Sequence, residues 1–301
     1  MPSVNQTIDV MMPFYGRFDH LREAVESVLA QTDADWRLVV IDDVYPDPAP
    51  GEWVEALALE DPRVEYRRNA VNLGVGGNFR ECVRLLGSER AVLMGCDDRM
   101  HPDYLATVRR LVTAHPEARI VQPGVEVIDA EGAVHSPLAD RVKGLIRFGG
   151  TGPREFSGER LATSLLHGNW AYFPSVLWRA DDLRRFGFRP GFEVVQDLAL
   201  MLDIVFDGGS LLLDDSVCFS YRRHAASVSA VTGPDGAKFA EERALFAEVA
   251  GRAAAAGWPR AARAARSHLT SRLNALSELP AALRAHDPVG RRALLRHVFS
   301  R

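Results

Sequence analysis

Apolar residues fall in short runs separated by amphipathic stretches. Ile8–Pro13 (IDVMMP) is an apolar run closed by proline and predicts a buried strand. Asp19 can cap the next segment, where Leu21, Ala24, Val25, Val28 and Leu29 recur at helical spacing and predict a helix over His20–Gln31. Trp36–Ile41 (WRLVVI) predicts a second strand, stopped by Asp42-Asp43, and Trp53–Leu59 a short helix. Val64–Arg67 predicts a third strand before a turn-rich stretch, Asn69–Asn78, and Phe79–Leu86 a helix. Ala91–Met94 predicts a fourth strand that again ends on acids, Asp97-Asp98, followed by a helix over Tyr104–His115 and a strand over Arg119–Gln122. The alternation implies an α/β fold with a largely parallel sheet covered on both faces. Such sheets bind ligands beyond the carboxyl ends of their strands, so the polar residues there are expected to share one crevice.

The pattern is less regular afterwards. Val134–Gly158, rich in Gly and Pro, reads as a long loop of the kind that forms lids or binding loops. Leu161–Leu166, Ala180–Phe186 and Asp197–Phe206 read as helices, and Phe173–Trp178, Ser210–Leu213 and Val217–Arg222 as strands. Thr232–Gly236 reads as a linker. From Lys238 on the chain reads as helical and alanine-rich, broken at Gly257–Pro259 and Asp287-Pro288. The expected organisation is a catalytic domain over residues 1–232, with halves meeting near residue 100, and a helical extension over 233–301.

Charge divides the chain in the same way. The 301 residues carry a formal charge of −4, with no basic signature for nucleic acid. Residues 251–301 hold ten arginines against two acidic residues, a formal +8 that leaves −12 for residues 1–250. Leu294, Leu295, Val298 and Phe299 beside Arg291, Arg292, Arg296 and His297 suggest either an appendage packed on the acidic body, a peripheral membrane contact, or a homodimer contact. The three cysteines form no pairing pattern. No secretion signal and no run of about 18 apolar residues is evident, so a cytoplasmic protein is expected.

Several residues suit chemistry. Asp42-Asp43 is either a turn former or a carboxylate for a base or ribose. Adjacent Asp97 and Asp98 are either a helix-capping turn ahead of Pro102-Asp103 or a cation site, since they repel each other unless a cation relieves them and hard divalent ions take such oxygens together with substrate phosphates. Asn69–Asn78 contains Gly74, Gly76 and Gly77, a turn that lets backbone approach a nucleotide, but it follows the third strand and so is not a dinucleotide fingerprint. Asp197 opens an apolar helix as either a first-turn acid or a general base, with Glu193 next in line as the base. His224, after Arg222-Arg223, is either structural or faces an anion or a metal. Trp170 is either a sugar-stacking ring or core.

In that order, IDVMMPFYGRFDH, VVIDD, NLGVGGN, LMGCDDRMHPDYL, GNWAYFPSVLWR, QDLALML and YRRHAASVS resemble family 2 of the glycosyltransferases, with its GT-A fold, from about Thr7 to Val231. The resemblance implies an inverting enzyme that moves a sugar from a nucleoside diphosphate-sugar (UDP-, dTDP- or GDP-linked) to a sugar or lipid-linked acceptor, aided by Mg²⁺ or Mn²⁺. It places Pro13, Tyr15, Asp42, Asp43, Asn72 and Gly74 at the nucleotide. It places Asp97, Asp98 and His224 at the metal, Asp197 as base, and Gln196 and Trp170 on the acceptor side. The first acid of the family's DxD signature falls on Gly95, the residue after Asp98 is Arg99, and the Glu before the base is Gln196. Arg99 would then supply part of the charge neutralisation. Two rival readings are a sugar nucleotidylyltransferase, which expects a lysine in a glycine-rich loop after the first strand, and a non-catalytic nucleotide-sugar-binding protein.

Overall fold

A computed structural model describes residues 7–223, 237–284 and 288–299. Its centre is a nine-stranded sheet. Strands β1 (Ile8–Phe14), β2 (Trp36–Asp42), β3 (Val64–Arg68) and β4 (Arg90–Leu93) pair in parallel in the order β3-β2-β1-β4. Helices α1 (Phe18–Leu29), α2 (Ala49–Glu60) and α3 (Gly74–Arg84) make the crossovers. Strand alternation then divides the core. Val10, Met12 and Phe14 pack on one face with α1, while Met11 packs on the other with α3.

The second half is mixed. After the two-residue strand β5 (Arg99–Met100) and helix α4 (Tyr104–Ala114) comes β6 (Ile120–Ile128), six residues longer at its end than the sequence pattern predicts. The stretch Val134–Gly158 is not a structureless loop. It contains helix α5 (Leu138–Ile146) and strand β7 (Arg154–Ser157), whose weak patterns lie between Gly- and Pro-rich flanks. Helix α6 (Gly158–His167) follows. Phe173–Ser175 is a 3-10 turn rather than strand, since Pro174 has no N–H for a ladder, and only Leu177–Arg179 forms strand β8, antiparallel between β4 and β6. Helices α7 (Ala180–Phe186) and α8 (Gln196–Phe206) lead into β9, a single strand over Ser210–Arg222. Its irregular register lies opposite Gly124, where a side-chain carbon would meet the Ser216 backbone at 2.7 Å. β9 pairs with β6 in parallel and with β5 and β7 antiparallel.

The C-terminal helices are α9 (Ala237–Ala255), α10 (Pro259–Ser267), α11 (Leu269–Arg284) and α12 (Pro288–Phe299). The first two share the main core. Leu245, Phe246 and Val249 of α9 and Ala261 and Ala265 of α10 cluster with Leu161 and Leu165 of α6 and with α8. The last two form a smaller cluster with Phe239 of α9, made by Ala275, Ala282 and Leu294. Of the apolar stripe expected on α12, Leu294 is buried and Val298 packs against this cluster, while Leu295 and Phe299 are exposed. No helix among the described residues is long and apolar enough to cross a membrane.

Candidate active site

The carboxyl ends of β1, β2 and β4 open on a cleft of about 920 Å³, closed on the other side by the segment before α8. Pro13, Tyr15, Asp43, Asn72, Gly74, Asp97, Asp98, Gln196 and Asp197 all line it. Each comes from a strand end, or from the turn or helix start facing one, where the sheet stops and backbone and acids are left for a ligand.

On the first side, Tyr15 and Tyr45 meet edge to face with centroids 5.5 Å apart. Val44 between Asp43 and Tyr45 has φ +62, which costs about 1–3 kcal/mol for a β-branched residue and must be held by its neighbours. Asp42 is the holder. It is fully buried and accepts hydrogen bonds from the Tyr45 N–H (2.7 Å), the Tyr66 hydroxyl (2.6 Å) and Arg68 (2.5 Å). The nucleotide contact expected of Asp42 is therefore corrected to support of Tyr45. Asp43 organises the glycine turn. Its Oδ1 accepts from Asn69 Nδ2 and the Leu73 N–H, both at 2.8 Å, and its carbonyl accepts from Asn72 Nδ2 at 2.8 Å. Gly74 has φ +70, a conformation glycine adopts without strain, and starts α3 instead of continuing a loop.

In the centre stand the two acids after β4. Asp98 Oδ1 accepts the Arg222 N–H at 2.8 Å, while its buried Oδ2 has no hydrogen-bond partner. Burial and the neighbouring Asp97 push its pKa well above the carboxylate range. An orphaned carboxylate oxygen beside a second acid is a donor set that suits a hard cation. Among the described residues no group of three or more His, Cys, Asp or Glu side chains could hold a metal, and His224 lies outside them. A side-chain carbon at Gly95 would stand 2.5 Å from Asp98 Oδ2 and 2.8 Å from Asp97 Oδ1, so the two carboxylates fill the place of the first signature acid. Arg99 does not line the cleft. It donates to the Gly132 carbonyl at 3.1 Å and pairs with Glu23, because β5 turns it away. The expected nucleotide role of Arg99 is corrected accordingly. Arg222 stands in the wall instead, donating to the Asp97 carbonyl at 2.7 Å.

On the far side, Asp197 lies in the first turn of α8. Its Oδ2 accepts from Asn169 Nδ2 and its Oδ1 from the Leu198 N–H, both at 2.7 Å. Burial raises its pKa, against those hydrogen bonds and the charge of Lys143. Lys143 is itself pushed down to about 8, by burial and then by Arg223. Gln196 Oε1 is buried without a hydrogen-bond partner. Trp170 is fully buried with its Nε1–H on Ser164 at 3.1 Å, leaving no ring face for a sugar, so the acceptor role expected of it is corrected to core. Asn78 of the glycine turn and Glu193, next in line after Asp197 as a base, line the cleft as well. Tyr45, His20 and Tyr221 also line it and were not singled out from sequence. They come from a turn, a helix face and the end of β9 without a distinguishing spacing, and only Tyr45, close to Asp42-Asp43, had any local signal.

The chain matches the family described as Glycosyl transferase family 2 over residues 9–179. It is 32% identical over 115 residues to the uncharacterized protein y4gI of Sinorhizobium fredii, covering 38% of this chain and 13% of that one. It is 28% identical over 117 residues to the putative colanic acid biosynthesis glycosyl transferase WcaA of Escherichia coli, covering 36% of this chain and 40% of that one. It thus spans less than half the length of either relative. Among solved structures, S. aureus TarS 1-349 in complex with UDP-GlcNAc superposes with a TM-score of 0.65 at 13% identity, covering 97% of this chain and 91% of that one. The matched segment carries β1, the glycine turn and the Asp97-Asp98 pair, and with the α/β architecture it assigns the protein: the chain belongs to glycosyl transferase family 2.

Proposed function

We propose that this protein transfers a sugar from a nucleoside diphosphate-sugar to an acceptor hydroxyl with inversion at the anomeric carbon. The observation that carries the reading is a single cleft with an aromatic pair and a glycine turn on one wall, an acid pair at the centre and Asp197 on the opposite wall. TarS in complex with UDP-GlcNAc supports a nucleotide-sugar donor, and UDP-, dTDP- and GDP-linked sugars are the class to test. Tyr15 and Tyr45 offer ring faces to a base. Asn72 and Gly74 stand where ribose and phosphates would lie.

Asp97 and Asp98 would hold Mg²⁺ or Mn²⁺, with His224 as the further ligand implied by the family. When bound, the ion draws charge from the diphosphate. Asp197 takes the proton of the acceptor hydroxyl, and its raised pKa suits a base closer to neutral pH. Gln196 Oε1, without a partner inside the protein, accepts from a sugar hydroxyl.

The acceptor in this reading is a sugar or a lipid-linked sugar, reached at a cytoplasmic membrane surface. Helix α5, which carries Lys143, exposes Leu138, Val142 and Leu145, and α11 exposes Leu269, Leu273, Leu276 and Leu283 at helical spacing. The +8 of residues 251–301 favours an anionic bilayer over a second copy of the same cationic face. Co-sedimentation with phosphatidylglycerol vesicles that weakens with salt supports this contact, and no sedimentation at low salt removes it.

The chemistry is tested by mixing the protein with Mn²⁺ or Mg²⁺ and a panel of nucleotide sugars and measuring released nucleoside diphosphate. Release that EDTA abolishes and that Asp97→Ala lowers by about 10²-fold or more is expected. Silence across the whole panel overturns the reading. Full activity in EDTA overturns the metal.

A further inference from the structure

The wall that carries Asp197 is tied to both other parts of the molecule. Glu193, four residues before Asp197, sends its carboxylate across the cleft, where Oε2 accepts the Gly76 N–H at 2.9 Å. Gly76 lies in the first turn of α3, where an N–H has no partner within the helix and a carboxylate is favoured by the helix dipole. A side-chain carbon at residue 76 would stand 2.8 Å from the Glu193 carboxyl carbon, so the contact needs glycine there.

Behind it, the N–H groups of Glu193 and Val194 both donate to Oε2 of Glu241, at 2.9 and 2.8 Å, and Glu241 belongs to α9. Arg189, at the start of the same segment, donates to Glu248 of α9 at 2.9 and 3.0 Å. Glu193 itself is exposed, so its direction rests on its contact with Gly76 and on its backbone, which those anchors hold.

We propose that Glu193 is a positioning residue that fixes the glycine turn against the Asp197 segment, and that Glu241 of the C-terminal helices holds Glu193 in place. The spacing between the nucleotide wall and the base wall then depends on a residue outside the matched family segment. The functional consequence rests on the glycosyltransferase reading. The positioning itself does not.

The test uses the full chain as wild type, Glu193→Ala, Glu193→Gln, Glu241→Ala, Glu241→Gln and the double alanine variant. Amide hydrogen exchange is followed in a peptide covering residues 72–80. Both single alanine variants are expected to speed exchange there by about tenfold, although Glu241 does not touch the peptide. The glutamine variants keep an acceptor oxygen and stay within about twofold of wild type. The double variant is expected to be no faster than Glu193→Ala, because the two residues act in series. Glu242→Gln, whose parent side chain contacts Ser271 instead, controls for general loosening and leaves these amides unchanged. In the donor assay the alanine variants raise the donor KM by about fivefold, more than they change kcat.

Unchanged exchange in Glu241→Ala overturns the proposal, as do multiplicative effects in the double variant. If the wild type turns over no donor, the glycosyltransferase reading falls while the exchange result still decides the positioning.

Discussion

Asp197 must be ionised to accept a proton, and burial raises its pKa. Activity is therefore expected to fall on the acid side, starting at a higher pH than an ordinary carboxylate would give, and to be full above the raised value. Asp197→Asn keeps the hydrogen-bonding shape and removes the acceptor of the proton. It should lower kcat by at least about 10²-fold with little change in donor KM, as steady-state kinetics will report. Gly95 gives a second expectation. Gly95→Ala pushes on Asp97 Oδ1 and Asp98 Oδ2, and Asp98 cannot swing freely because Arg222 N–H holds its other oxygen. Turnover should drop by about tenfold, with Tm within a few degrees of wild type, since the displaced atoms are side-chain ends. Unchanged turnover would show that the acid pair tolerates displacement. The acids themselves were legible from sequence because they interrupt buried strands. The facing of single side chains was not. Asp42 and Asp43 are adjacent, yet strand alternation sends the first into the Tyr66–Arg68 network and the second towards the glycine turn. Arg99, on β5, was misplaced for the same reason, while Trp170 lies in irregular chain after α6, where no period separates core from cleft.

At the scale of elements, the parallel β3-β2-β1-β4 half could be read from sequence because strands and helices alternate there and β1, β2 and β4 are short apolar runs. In the second half the longer helices and the strands β6 and β9 were legible too, but β5 and β7 were not, because they have two and four residues, too few for a period to register, and owe their place to pairing with β9. A cluster joining α9, α11 and α12 was equally hidden. His297 is fully buried, bonded to Ser271 at 2.6 Å, and its pKa is pushed down to about 4 by burial and then by His268 and nearby arginines. His268 is lowered as well, chiefly by burial. A histidine whose folded pKa lies below its unfolded value of 6.5 binds fewer protons when folded, so its stability contribution is full above 6.5 and is lost as pH falls towards 4. Glu242, raised by burial, partly offsets this because it gains its proton more readily in the folded state. Between pH 7 and pH 4.5 the C-terminal helices are expected to lose on the order of 2 kcal/mol and become susceptible to proteolysis. His297→Asn should flatten that dependence. A cleavage rate that is the same at both pH values in the wild type would rule the cluster out as a source of acid sensitivity.

At the scale of the whole molecule, the C-terminal helices are two things, and a pair of truncations separates them. The boundary expected at residue 232 lies outside the described residues, but helices α9 and α10 beyond it are no free appendage. Leu245, Phe246 and Val249 of α9 and the alanine face of α10 complete the core that α6 and α8 begin, and Trp258 stacks on Phe206 with centroids 4.8 Å apart. Each large apolar side chain withdrawn from water contributes about 1.5–3 kcal/mol, so losing this layer removes an amount comparable with the 5–15 kcal/mol that holds an ordinary domain together. It also removes Glu241 and Glu248, which fix the segment ahead of Asp197. A chain ending at residue 236 is therefore expected to aggregate or to lack a cooperative thermal transition. A chain ending at residue 268 keeps α9 and α10 and gives up only α11 and α12, whose apolar burial is confined to a small cluster around Phe239 and Leu294. That chain should unfold cooperatively, with a Tm lower by several degrees, and release nucleoside diphosphate from its donor at a rate within about threefold of the full chain. Vesicle binding, if it resides in the exposed leucines of α11, should be lost from the same chain. Circular dichroism melts, the donor assay and sedimentation on the two truncated proteins check all three. A stable, active 1–236 would mean that the layer formed by α9 and α10 is dispensable, and an inactive 1–268 that still melts cooperatively would move a catalytic contribution into α11 or α12.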